Sequence, residues 1–195
     1  MTNEEVLKIF EESKALLNGH FLLSSGRHSD RYLQCALVLQ YPWYAEKLCK
    51  ALAEIVKPLK PQAVVSPALG GVVVGQELAR ALGVRALFTE RSKTDDQMEL
   101  RRGFSVTAGE RFFAVEDVIT TGKSVKESIA VMRSLGAVVV GVGSLMDRSN
   151  GKAAETFDVP MKSLVSLNVE SWEEKNCPFC KKGMPVVKPG SRGKF

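Results

Sequence analysis

Residues 112–124 read FFAVEDVITTGKS and prescribe a local fold more tightly than any other part of the chain. Phe112, Phe113, Ala114 and Val115 form a short unbroken apolar run, the pattern of a strand covered on both faces. The run ends in two adjacent carboxylates, Glu116 and Asp117, and a hydroxyl-rich turn, residues 120–124, follows. Residues 125–135 then return to helical spacing. Buried strand, turn and helix in that order are the repeating unit of an α/β fold. Two acids at the end of a buried strand are costly unless their charge is used.

The same order recurs. Residues 63–65 read as a strand, 66–71 as a loop and the stretch to Leu82 as a helix; residues 84–88, 138–142 and 161–167 read as further strands. Alternation at this pitch predicts a mostly parallel sheet with helices on both faces. Ahead of it, residues 3–17 carry Val6, Ile9, Phe10, Leu16 and Leu17 at helical spacing, with Thr2 and Glu5 spaced as a capping box and Asn18-Gly19 as the stop. Residues 21–23 and 32–39 read as two strands of a flap outside the main sheet, and 44–56 as a helix. Residues 90–103 are polar and of mixed charge, the composition of a mobile loop or long hairpin. The 195 residues fit one domain: helix and flap in 1–40, α/β core in 41–170 and a cysteine-containing tail in 171–195.

Composition excludes several classes. Hydrophobic content of 45% and charged content of 25% are those of an ordinary globular chain. The net charge of +5 suits small anionic substrates, and no basic–aromatic stripe or helix-turn-helix pattern points to nucleic acid. The polar start lacks an apolar signal region and the longest apolar run, near residues 137–146, is too short to span a bilayer, so a cytoplasmic location is expected.

The chemistry follows from the turn. The first amides of a helix are unpaired and sit at the positive end of its dipole, so Thr120, Thr121, Gly122, Lys123 and Ser124 offer N–H groups and hydroxyls to a phosphate. Glu116 and Asp117 can accept hydrogen bonds from sugar hydroxyls beside it, which describes a phosphorylated ribose. Gly122-Lys123-Ser124 is not the end of a nucleotide-binding P-loop, because Asp117 stands where that motif needs glycine. Ala68, Leu69, Gly70 and Gly71 open another helix after another strand; taken alone they are a βα turn whose glycines serve packing, but beside the 112–124 segment they are a candidate for a second anion cradle. Arg148 follows the 138–142 strand and can pair bidentately with a carboxylate; otherwise it is a surface ion pair with Asp147 or a neighbour. Ser25, Gly26 and Arg27 of the flap supply further donors, and Tyr32 an aromatic face.

The 112–124 segment resembles the signature of the type I phosphoribosyltransferases. The flap, the 89–104 loop, Met146-Asp147-Arg148 and the tail narrow the resemblance to the orotate-specific branch, over essentially the whole chain. The resemblance implies transfer of a phosphoribosyl group from phosphoribosyl pyrophosphate to orotate, with Mg²⁺ bound mainly through the substrate pyrophosphate. It implies that Glu116 and Asp117 hold the ribose hydroxyls, that Val118 and residues 120–124 wrap the 5′-phosphate, and that residues 68–71 and Arg91 meet the pyrophosphate. Ser25, Gly26, Arg27, Tyr32, Thr120 and Arg148 then line the orotate site. Arg91 and Lys93 join the two acids as catalytic groups, acting across a homodimer whose loop 90–103 is shared between subunits. The chain departs from the family pattern where Ser24 and Gly70 replace lysines and where the mobile loop lacks histidine; Arg91, Lys93, Arg101 and Arg102 are the cations left to compensate. Transfer to a purine or xanthine, and a regulator that binds the donor without turnover, are the competing readings.

Cys177-Pro178-Phe179-Cys180 has the form of half a zinc knuckle, which gives two ligands of four. Cys35 and Cys49 lie in other elements, so the expectation is no bound metal and a pair of reduced thiols in a tight turn, unless a dimer partner supplies a second knuckle. His20 is expected on the surface and His28 in the flap, where it can touch substrate, with no catalytic partner for either. The basic tail after Val186 is expected to be loosely docked.

Overall fold

A computed structural model describes residues 1–23 and 25–189; Ser24 and the end of the tail, 190–195, lie outside the described residues. The main sheet has six strands in the order β5-β4-β3-β6-β7-β8, formed by β3 (Ala63–Pro67), β4 (Arg85–Arg91), β5 (Met98–Leu100), β6 (Arg111–Ile119), β7 (Val138–Asp147) and β8 (Met161–Ser166). All neighbours are parallel except β4 and β5. Successive residues of β6 face opposite ways. Phe113 and Val115 join a core that holds residues of α1 (Asn3–Glu12), α3 (Pro42–Val56) and α4 (Gly70–Leu82). Phe112 and Ala114 join a second core with Val125, Ile129 and Met132 of α5 (Lys123–Ser134). The expected helix-covered, mostly parallel sheet is therefore present.

The strand order reverses direction between β3 and β6. From β3 the chain winds through α4 to β4 on one side; from β6 it winds through α5 to β7 and β8 on the other. Ligands of open α/β sheets sit in the crevice that such a reversal opens at the carboxyl ends of the strands. Both cradles read from the sequence, 68–71 after β3 and 120–124 after β6, flank this one crevice.

The flap is a separate antiparallel sheet of β1 (Leu16–Leu22), β2 (His28–Leu33) and β9 (Ser171–Trp172). Two expected boundaries were wrong. The first helix ends at Glu12 with Ser13 as C-cap, Lys14 turns the chain at a φ of 57°, and Leu16 and Leu17 belong to β1. Asn18-Gly19 is thus inside a strand, beside a register shift, and ends no helix. The second flap strand starts at His28 and stops at Leu33, and Ala36–Leu39 is a short helix, α2. The capping box is formed as expected, with Glu5 N–H donating to Thr2 Oγ1 and Thr2 N–H to Glu5 Oε2. The 90–103 segment is a hairpin between β4 and β5. The described tail is not loose: Val187 exchanges hydrogen bonds of 2.8 Å with the backbone of His20 and Leu22.

Candidate active site at the sheet switch point

β6 continues through both acids to Ile119, which carries Glu116 and Asp117 to the carboxyl edge of the sheet. Burial, and then the neighbouring Asp117, push the Glu116 carboxyl up to about 7. Burial also raises Asp117, although the Val118 amide donates to its Oδ1 at 2.9 Å. Two half-buried carboxyls with raised proton affinity and no cation paired to them among the described residues suit hydroxyl ligands better than a structural ion pair.

The turn after β6 enters α5 through Gly122, whose φ of 70° is left-handed. A Cβ there would also stand 2.6 Å from Phe157 Cζ, so glycine is required twice over. Gly122 itself makes no side-chain cap to α5; the Lys123 amide donates to the Thr121 hydroxyl at 3.4 Å, and Thr120 and Thr121 are exposed. The other cradle is tied directly to the acids. An added Cβ at Gly70 would meet Asp117 Oδ2 at 3.0 Å, so Asp117 leans over the start of α4. The Ala68–Leu69 peptide is cis, and Leu69 is 86% exposed.

Arg148 follows β7, its amide donating to Ile119 O at 2.8 Å. The alternative of a surface pair with Asp147 is not what is found. Asp147 is buried, and its carboxylate accepts from the Ser149 and Gly151 amides and from the Ser149 and Ser166 hydroxyls. Burial alone would raise its proton affinity, but those bonds hold it below the usual carboxylate range. Arg148 has no salt bridge among the described residues, and its Nε is buried with no partner. Burial lowers its proton affinity, while nearby Cys35 and Tyr32 work the other way. The buried Cys35 thiol is raised by desolvation and then by Asp117, while Arg148 lowers it, so it feels both groups. That coupling could not be read from the sequence.

The other named residues divide. Ser25 and Gly26 form the exposed turn of the flap, and Gly26 has a φ of 77°. Arg27 is spoken for: its Nε donates to Ser171 Oγ at 2.9 Å, so it holds β9 to the flap. Tyr32 packs on Phe21 with ring centroids 5.8 Å apart. In the hairpin, Arg91 pairs with Glu127 of α5 and donates to Asp96 O, and Arg102 grips Glu90 bidentately at 2.7 and 2.9 Å. Arg101 stands 3.8 Å from Glu90. Lys93 is the hairpin cation with no ion pair among the described residues. His20 is not on the surface; it is 3% exposed and faces His28. A hollow of about 430 Å³ between α4 and β4 is lined by Ser66, Val72, Gln76, Phe88 and Phe104 and by neither the acids nor the 120–124 turn.

The model of the phosphoribosyl transferase domain matches residues 41–180. The chain belongs to the phosphoribosyl transferase family. Within that family, it is 53% identical to an orotate phosphoribosyltransferase of Caldanaerobacter subterraneus over 98% of this chain and 99% of the relative. It is likewise 53% identical to one of Desulforamulus reducens, over 98% of each. Among solved structures, the orotate phosphoribosyltransferase of Aeropyrum pernix superposes with a TM-score of 0.72 at 27% identity, covering 83% of this chain and 93% of that one. The family fold accounts for the shared crevice of β3 and β6. No helix among the described residues is long and apolar enough to cross a membrane.

Proposed function

We propose that this chain transfers the phosphoribosyl group of phosphoribosyl pyrophosphate to N1 of orotate, giving orotidine 5′-monophosphate and pyrophosphate. We further propose that it works as one phosphoribosyltransferase domain in a cytoplasmic homodimer. The observation that carries the choice of orotate is Arg148. A buried guanidinium nitrogen without a partner is expensive to keep unless a ligand completes it, and a planar carboxylate is the group its fork fits. A neutral purine has nothing to offer it.

In this reading the turn 120–124 holds the 5′-phosphate through backbone amides and hydroxyls, and residues 68–71 receive the pyrophosphate. Glu116 and Asp117 accept hydrogen bonds from the ribose hydroxyls, and binding draws the proton off Glu116. Their charge then lies near C1′, where positive charge develops as the bond to pyrophosphate breaks and the bond to N1 forms. Arg148 fixes the orotate carboxylate, and Tyr32 and the 25–27 turn border the ring. Lys93, with Arg91 once released from Glu127, neutralises the leaving group, and hairpin closure excludes water that would hydrolyse the donor. The hard carboxylate oxygens of Glu116 and Asp117 fit Mg²⁺, which would be held mainly by the pyrophosphate and would supply charge neutralisation to it. No side-chain nucleophile is needed.

The test is to mix the protein with orotate, phosphoribosyl pyrophosphate and Mg²⁺ and follow orotate absorbance. Loss of signal that needs both donor and Mg²⁺ is expected. Donor binding by calorimetry without any loss of orotate would instead favour another base or a regulator.

A further inference from the structure

The half knuckle at Cys177 and Cys180 is completed within the same chain. β1 and β2 deliver His20 and His28 to it, and the four ligand atoms all lie within 4.8 Å of one another. His20 Nε2 is 3.4 Å from Cys177 Sγ and 3.7 Å from Cys180 Sγ, and His28 Nδ1 is 3.3 Å from Cys180 Sγ. Metal–sulfur bonds of about 2.3 Å and metal–nitrogen bonds of about 2.0 Å give a tetrahedron with edges of roughly 3.3–3.8 Å. Three of the four sulfur–nitrogen edges already have that length, and no pair of ligand atoms is more than 4.8 Å apart. The nitrogen–nitrogen edge is 2.8 Å, a hydrogen-bond length, and would open by about half an ångström around an ion.

Three further features match a metal centre. His20 Nδ1 lies 2.9 Å from Met184 O; a proton on Nδ1 donates to that carbonyl and leaves the Nε2 lone pair turned to the cluster, the arrangement that orients ligating histidines. Both histidines and Cys177 are buried. Phe179 stacks on His20 at 5.5 Å between ring centroids, and Trp172 packs on Phe179 at 5.8 Å, an apolar wall behind the ligands.

We infer that His20, His28, Cys177 and Cys180 form a structural Zn²⁺ site of the Cys₂His₂ type. Two thiolates and two imidazoles in tetrahedral array select zinc among common divalent ions. Four protein ligands close the coordination shell, so the ion binds no substrate; it rivets β1, β2 and the tail together. The inference stands independently of the proposed reaction. It replaces the expectation of free thiols, and no second subunit is needed to supply ligands.

The experiment is elemental analysis of the full chain after incubation with Zn²⁺ under reducing conditions and removal of unbound metal, followed by Co²⁺ replacement. One ion per chain is expected, with tetrahedral cobalt bands in the visible and thiolate charge-transfer bands in the near ultraviolet. Cys177→Ser and His28→Gln should abolish both signals, while Cys35→Ser and Cys49→Ser keep them. Should the first two variants fail to fold, mercurial titration of the wild type decides the matter. Release of one zinc as two thiols react supports the site. No stoichiometric metal on the wild type, cobalt spectra without thiolate bands, or metal retained in Cys177→Ser overturns it.

Discussion

Replacing Arg148 with methionine separates a binding role from a structural one, because the two predict opposite signs. Without ligand, the buried Nε lacks a partner, and an unsatisfied buried polar group costs about 1–3 kcal/mol. Methionine follows the same path and removes that cost, so the free protein should hold its melting temperature or gain a few degrees, at about 2–4 °C per kcal/mol for a chain of this size. With orotate bound, the variant loses a charge-assisted pair in a half-buried setting, worth about 3 kcal/mol. That amounts to a fall of about 150-fold in kcat/KM for orotate. Uracil lacks the carboxylate, and any turnover of it should change by less than about threefold. Donor affinity by calorimetry should stay put. Equal losses for orotate and uracil, or a drop in melting temperature that takes donor binding with it, would refute the carboxylate assignment.

Gly70→Ala puts a methyl 3.0 Å from Asp117 Oδ2; overpacking of about 1–2 kcal/mol should weaken donor binding about 5- to 30-fold with little change in orotate KM, and an unchanged donor affinity in calorimetry would count against the contact. Glu116, raised to about 7, binds more protons folded than unfolded between its ordinary value and 7. The stability of the ligand-free protein should therefore fall as pH rises through that window, by on the order of 3 kcal/mol. Glu116→Gln should flatten that slope in denaturant titrations, and an unaltered slope would place the titration elsewhere. Mixed dimers of Lys93→Ala with a Glu116→Gln/Asp117→Asn double variant should recover activity that neither homodimer has, and recovery of none would rule out sharing of the hairpin across subunits.

What could be read from the sequence was local. The 112–124 segment states its own strand, turn and helix, and the acids, the turn and the 68–71 loop lie at the carboxyl ends of the neighbouring strands β6 and β3. Errors arose where local pattern is ambiguous. Leu16 and Leu17 continue a helical spacing, but no glycine or proline marks the stop at Ser13; a lysine in left-handed backbone turns the chain instead. Residues 36–39 are a short apolar run, which fits strand or helix until packing decides. Pairings across the chain were hidden altogether. Nothing near Arg91 in sequence announces Glu127, and nothing near His20 announces Cys177, 157 positions away.

The pairing of β2 with β9 also bears on how the chain is made. Ser29 lies opposite Ser171 and His28 opposite Trp172, so the flap waits for a partner synthesised some 140 residues later. The central strands need no such delay, since β3, β4 and β6 are joined by a helix and a hairpin close in sequence. On a ribosome, the crevice between β3 and β6 can form while the flap sheet is still incomplete. Pulse-labelled hydrogen exchange during refolding should then protect β3 and β6 before β1 and β2. A nascent chain halted before residue 171 would lack β9, the strand that completes the flap sheet on β2.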